Sequence, residues 1–269
     1  MPVFFFALSF VEVIDMLNTI LAFLIIHLLL YPASNGYNSY MDRDTESIGG
    51  IENPMQPTKE LFYTTIMMDA AGIILSLFIG WWFAVALCIY IACSRLYSYR
   101  RIRLKRFPVV GYITVILNQG ALIFSMVYCA AETIVNPPLP LIPLIGASFL
   151  IGGFYPITQV YQHKADKADG VQTISMVLGK RGTFIFCGIM YAIAFTLLFI
   201  QYYTTNNMSS FFVLQLFFLP VIFYFLKWLV GVWKNENEAN FKNTMRMNTL
   251  ASSCTNLAFI TLTIMKHFG

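Results

Sequence analysis

Charge is what this sequence has least of. Asp and Glu number 13 and Lys and Arg 17 in 269 residues, or 11%, where a water-soluble domain carries about 25%. That scarcity excludes a soluble enzyme and a disordered chain, since neither leaves so little charge to face water. The five cysteines, Cys88, Cys93, Cys129, Cys187 and Cys254, all fall in apolar segments without metal-like spacing. They read as small core residues, exclude a disulfide-stapled secreted domain, and say nothing about redox compartment. No basic segment precedes an apolar core and a small-residue cleavage site, which argues against a signal peptide.

Apolar residues are what the chain has instead: 58% of it, with 16% aromatic and a mean hydropathy of +0.68. A membrane-spanning helix needs about 20 mostly apolar residues. The chain holds nine such segments, predicted at 2–13, 16–41, 60–79, 81–99, 108–131, 139–162, 183–203, 211–233 and 247–267. The first is short, closed by Glu12 and Asp15, and reads as truncated at its beginning. The fold class expected is an all-α polytopic membrane protein.

Except for Lys266, every Lys and Arg lies in or near four connections, at 42–59, 95–107, 163–182 and 234–246. On this span map those connections share one face, which the positive-inside rule makes cytoplasmic. The net charge of +4 is thus a topology signal and implies no nucleic-acid partner. The N-terminus is expected inside and the C-terminus outside; for a bacterial chain the membrane would be the plasma or inner membrane.

The chain also repeats itself. YPASNGYNSYMDR at 31–43 and YPITQVYQHKADK at 155–167 align at an offset of 124, with four of thirteen positions identical: Tyr31/Tyr155, Pro32/Pro156, Tyr37/Tyr161 and Asp42/Asp166. Matches between membrane segments are usually apolar, whereas these are polar, which points to an internal duplication. Two copies of one helix end bring two polar sets toward a shared cavity, as in repeat-built transporters and equally in an enzyme.

Asn38, Asp42 and Glu46 are spaced i, i+4, i+8, so on a continuous helix they form one stripe; Gln162 and Asp166 repeat the i, i+4 pair. Carboxylate and amide oxygens facing each other suit Mg²⁺, which prefers one or two carboxylates plus water and phosphate oxygens. The ordinary alternative is a pair of solvated helix ends. Between the copies runs Tyr97-Ser98-Tyr99-Arg100-Arg101-Ile102-Arg103-Leu104-Lys105-Arg106. Such a basic run enforces topology and touches anionic lipid, or it binds phosphate, Arg as a fork and Lys as a point charge. Acids for Mg²⁺ and bases for phosphate on one face describe a diphosphate site.

The run Asn38-x-x-x-Asp42-x-x-x-Glu46 resembles the first motif of the UbiA superfamily of intramembrane prenyltransferases. The stretch Tyr161–Gly170, with Leu178-Gly179 after it, resembles the second, and Tyr97-Ser98 with Arg101, Arg103 and Lys105 resembles the basic connection. The resemblance covers the whole chain as a single domain, 1–269. It implies about nine helices in a ring around a central cavity, with Mg²⁺ as cofactor and a polyprenyl diphosphate donor whose tail lies in the membrane. On it, Asp42, Glu46 and Asp166 are the metal ligands, Asn38 and Gln162 support them catalytically, and Tyr97, Arg101, Arg103, Lys105 and Asp169 bind the diphosphate. The activity implied is Mg²⁺-dependent transfer of an isoprenyl group to an aromatic or lipid acceptor.

The chain departs from that pattern at Ser39, Glu46, Gln162 and Gln56, where Asp, Asp, Asp and Arg are usual. Gln162 removes a carboxylate, which bears on the number of metal ions. Asp69 lies midway along a span and must face the interior, as a site or packing residue. His27 reads as structural, and His163 as an unassigned neighbour of the motif. Asn118, Gln119 and Asn248 are candidates for the cavity wall, and Gly146, Gly152 and Gly153 for close helix packing. Two other readings stay open: a membrane terpene cyclase on the same scaffold, and a transporter for an anionic lipid.

Overall fold

The computed structural model describes residues 2–43, 47, 51–52, 54–134 and 137–268. All named elements among them are helices: α1 (Pro2–Leu8), α2 (Met16–Asp42), α3 (Lys59–Ser76), α4 (Trp81–Ser98), α5 (Pro108–Ala131), α6 (Leu141–Phe154, running on as a 3₁₀ turn Pro156–Gln159), α7 (His163–Ala168), α8 (Ile174–Thr204), α9 (Met208–Lys234) and α10 (Phe241–Phe268). Six of the described helices, with α6 taken to Gln159, are long and apolar enough to cross a membrane. Outside that set are the seven-residue α1, the six-residue α7, α3 with Lys59, Glu60 and Asp69, and α10, polar through its first half.

The helices close into a ring. α2, α3 and α4 pack on one another, α4 on α5, α5 on α6 and α6 along α8; α9 and α10 follow, and α10 returns to α5 through α1. Lipid is as apolar as leucine, so close packing and polar pairing hold such a ring together. Gly120 shows the packing: a Cβ there would lie 2.5 Å from Ser148 Cα, so only glycine lets α5 and α6 approach this closely. Gly152 likewise admits the Tyr112 hydroxyl and Gly153 the Tyr191 ring.

Two π-helical turns interrupt the spans, at Ile25–Leu30 in α2 and Leu117–Leu122 in α5. The first directly precedes Tyr31-Pro32: proline lacks an N–H and its ring crowds the carbonyl four residues back, and the widened turn accommodates both. In the second, the Ala121 N–H donates to Ser148 Oγ at 3.1 Å, a partner from the neighbouring helix.

One end of the ring carries an acidic clasp. The buried Glu132 carboxylate accepts the Glu12 N–H at 2.7 Å and the Val13 N–H at 3.3 Å. Asp15 caps α2 by accepting the Asn18 N–H at 3.0 Å, and Lys266 pairs with Glu12 at 2.9 Å. α1 stops at Leu8, short of the 2–13 predicted: the N–H groups of Ser9, Phe10 and Val11 close its last turn on the carbonyls of Phe5, Ala7 and Leu8, and those of Glu12 and Val13 turn to Glu132. At the other end the basic connections meet one another, through Arg103 with Asp42 and Asp169 and through Lys180 with the Glu236 carbonyl.

Candidate active site

At the basic end, the ring encloses a polar chamber of about 270 Å³, bordered by Asn38, Asp42, Tyr97, Lys105, Gln162 and Asp166 among others. α2 supplies Asn38 and Asp42 one turn apart. Asn38 is fixed by the Ser98 hydroxyl, which donates to its Oδ1 at 2.7 Å. The helix ends at Asp42, because Arg43 is left-handed (φ 56°). Glu46, the third residue of the expected stripe, lies outside the described residues, as does Asp44.

A carboxylate at a helix C-terminus meets the negative end of the dipole. Asp42 is held there by cations: Arg103 at 3.0 Å, and Lys105 by a direct ion pair. Arg100 closes the same helix end, donating to the carbonyls of Met41 and Asp42. Arg103 has a left-handed backbone (φ 50°) and a buried side chain. Its guanidinium also pairs with the Asp169 carboxylate and donates to the Asp169 carbonyl at 3.1 Å. Burial by itself would raise Asp169, but the bonded Arg103, with Arg100 and Lys105 nearby, outweighs it and holds that carboxyl below its ordinary range.

Asp166 stands one helical turn beyond Gln162, its N–H donating to the Gln162 carbonyl at 2.9 Å. Its Oδ2 is buried without a hydrogen-bond partner. Burial, reinforced by Asp42 and Asp169 against the opposing pull of Lys105 and Arg103, pushes its carboxyl up to about 6. Among the described residues no three His, Cys, Asp or Glu side chains converge as a closed metal cage. The residues do fit a cation that shares its shell with phosphate: the carboxylates of Asp42 and Asp166 and the amides of Asn38 and Gln162 border one chamber, and one carboxylate oxygen is unengaged.

Electrostatics supports the same fit. Asp42, Asp166 and Asp169 face Arg100, Arg103 and Lys105, three charges against three. A polyanion entering so balanced a cluster must bring its own countercharge.

Below the polar chamber lies an apolar one of about 730 Å³. Asn35, Tyr90, Gln119, Tyr155, Thr158 and Gln162 border both, so the two are continuous through an amide- and tyrosine-lined neck. The Tyr155 hydroxyl bonds that of Tyr97 and accepts from Gln159 Nε2 at 2.8 Å. The apolar wall comes chiefly from α6, α8, α9 and α10, with α1 at its far end.

The structure thus gathers Asn38, Asp42, Tyr97, Lys105, Gln162 and Asp166 around one chamber and ties Asp169 to it through Arg103. Arg101, on the same connection, is exposed and borders neither chamber. Asn118 and Gln119 line the polar chamber and Asn248 the apolar one, as expected of cavity candidates. Asp69 pairs with Arg95, which stacks 3.9 Å from the centre of the Tyr37 ring, so it ties α3 to α4 behind α2 rather than facing the chamber. His163 anchors the second motif: its Nε2 meets Ser175 Oγ at 2.7 Å, and Ser175 meets Thr183 at 3.0 Å. Thr183 in turn donates to the carbonyl of Gly179, whose φ of 68° breaks α8 near its start. The neck residue Tyr155 carries no role in the sequence reading, although it had a signal as the partner of Tyr31 in the repeat; Arg100 stood in the basic run, but nothing there marked it as a helix cap.

No curated protein matches the chain. Among solved structures, a UbiA homologue from Archaeoglobus fulgidus bound to DMAPP and Mg²⁺ aligns with a TM-score of 0.69 and 17% identity, covering 98% of this chain and 93% of that one. A digeranylgeranylglyceryl phosphate synthase aligns at 0.64 and 19%, covering 98% and 91%. An apo UbiA homologue from Aeropyrum pernix K1 aligns at 0.65 and 16%, covering 97% and 96%. At such identities these likenesses speak to the fold. The sequence itself matches the UbiA prenyltransferase family over residues 1–250, and the chain belongs to that family.

Proposed function

We propose that this protein transfers an isoprenyl group from a polyprenyl diphosphate to an acceptor within the membrane, and that residues 1–269 act as one domain. The carrying observation is the paired chamber: a charged compartment opening through a tyrosine-lined neck into a larger apolar one. A molecule with a diphosphate head and a hydrocarbon tail has that shape and polarity. The A. fulgidus homologue was solved with such molecules, DMAPP and GPP, each with Mg²⁺.

In this reading Asp42 and Asp166 hold Mg²⁺ with Asn38 and Gln162 beside them, Glu46 completing the ligand set. When bound, the ion supplies positive charge against the departing diphosphate. Lys105 and Arg103 bind phosphate oxygens, Asp169 orients Arg103, Tyr97 orients Tyr155, and Arg101 is the outer cation of the connection. The allylic carbon then lies at the neck, where the Tyr90 and Tyr155 rings offer electron-rich faces to a developing cation. The apolar walls below exclude water, so the cation persists until the acceptor captures it. The site opens to the cytoplasm, following the basic connections.

Product analysis with farnesyl diphosphate tests this, with and without quinone-ring and glycerophosphate acceptors. Acceptor-linked isoprenoid is the expected product. A cyclic hydrocarbon formed without acceptor identifies a cyclase, and vesicle uptake without diphosphate release a transporter.

A further inference from the structure

The apolar chamber has a floor made of two stacked rings. Phe6 of α1 and Phe259 of α10 both border it, with centroids 4.4 Å apart, and both side chains are fully buried. Phe6 is wedged further by Phe124 at 5.3 Å and Phe10 at 5.6 Å. Behind the floor, Lys266 ties α10 to the Phe10 carbonyl and Glu12 at the acidic end of the ring. The two rings therefore lack an easy rotation that would lengthen the cavity.

The depth from neck to floor is measured along α6, at the helical rise of ~1.5 Å per residue. On α6, Tyr155 stands at the neck, and Gly146 sits against the floor, where a Cβ would lie 3.9 Å from Phe6 Cζ. That interval is about 14 Å by the same rise. An extended isoprene unit contributes four carbon–carbon bonds of ~1.5 Å, so it advances about 5 Å.

From this we infer that the Phe6–Phe259 pair sets the donor's length at about three isoprene units, a farnesyl tail. The inference rests on the diphosphate reading of the polar chamber, and it adds a specificity-determining pair to it. A fourth unit would meet the rings, whereas a two-unit tail leaves the lower chamber unfilled.

The test uses the purified chain in lipid nanodiscs with Mg²⁺ and the thiolodiphosphates of geranyl, farnesyl and geranylgeranyl, which resist ionisation, so that binding is read apart from turnover. Wild type should bind the farnesyl analogue best, with the geranylgeranyl analogue weaker on the order of tenfold, as expected for a misfit in an apolar pocket. Phe6→Ala should invert that order. Phe6→Leu and Phe259→Leu, which keep more of the core volume, should at least erase it. Equal wild-type binding of all three analogues, or an order unchanged in the folded Leu variants, overturns the inference. A shifting length profile without turnover of any true diphosphate would sustain the floor while overturning the transfer activity. Turnover with a flat length profile does the reverse, and no binding by any analogue to folded protein overturns both.

Discussion

Replacing Asp166 by Asn should stabilise the metal-free protein while abolishing its activity. The folded chain holds the Asp166 proton up to about 6, against 3.8 ordinarily. Between those values the folded state binds more protons than the unfolded one, so stability falls as pH rises through the window and stays reduced above it. At ~1.36 kcal/mol per pH unit the ceiling of this cost is about 3 kcal/mol. Partial solvent contact of the carboxyl lowers it to about 1–2 kcal/mol. Asn keeps the shape and removes the charge, so in EDTA the variant should unfold about 2–6 °C higher than wild type at pH 7.5. The two should converge near pH 4. Thermal unfolding in nanodiscs across pH 4–8 reads this directly. A variant less stable than wild type at pH 7.5, or a gap independent of pH, would refute the account of a carboxylate kept under tension for a cation. Such a trade of stability for function is common at active sites.

Three further outcomes follow from named contacts. Arg103→Ala strips the buried Asp42 and the neighbouring Asp169 of a shared partner and should destabilise by about 3–5 kcal/mol. Exposed Arg101→Ala should stay within about 0.5 kcal/mol, and side-by-side denaturant titration separates them. Arg95→Met should cost a similar ~3–5 kcal/mol by orphaning Asp69, with most of it recovered in Arg95→Met/Asp69→Leu; full additivity of the two changes would contradict the pairing. Gly179→Ala meets no steric neighbour, so its cost should be conformational, about 1–3 kcal/mol for a side chain forced into a glycine-only region. An unchanged melting temperature there would mean that the break in α8 relaxes freely.

Six of the nine expected spans were legible because apolar length is a local property, and so was the meeting of the two motifs at one chamber, because they share polar identities at a constant offset. The end of α2 was not: Arg43 adopts a left-handed backbone without the glycine that usually announces one. Periodicity names a face but not what meets it. It therefore left Asp69 open between site and packing, a choice decided by Arg95 from the next helix. Within the basic run, one sequence pattern served three tasks. Arg100 caps a helix, Lys105 borders the polar chamber, Arg103 is buried in ion pairs with Asp42 and Asp169, and Arg101 is exposed. The π turn that carries Asn118 and Gln119 into the chamber wall is a tertiary response to Ser148 and has no local signature.

The central claim is that the paired chambers ionise a prenyl diphosphate. Its most direct test is diphosphate release from farnesyl diphosphate by the purified protein in nanodiscs, with an acceptor mixture, in Mg²⁺ and in EDTA, beside Asp42→Ala and Asp166→Ala. The account predicts release that requires Mg²⁺ and is lost in both variants. Release that persists in EDTA, or in either folded variant, would contradict it.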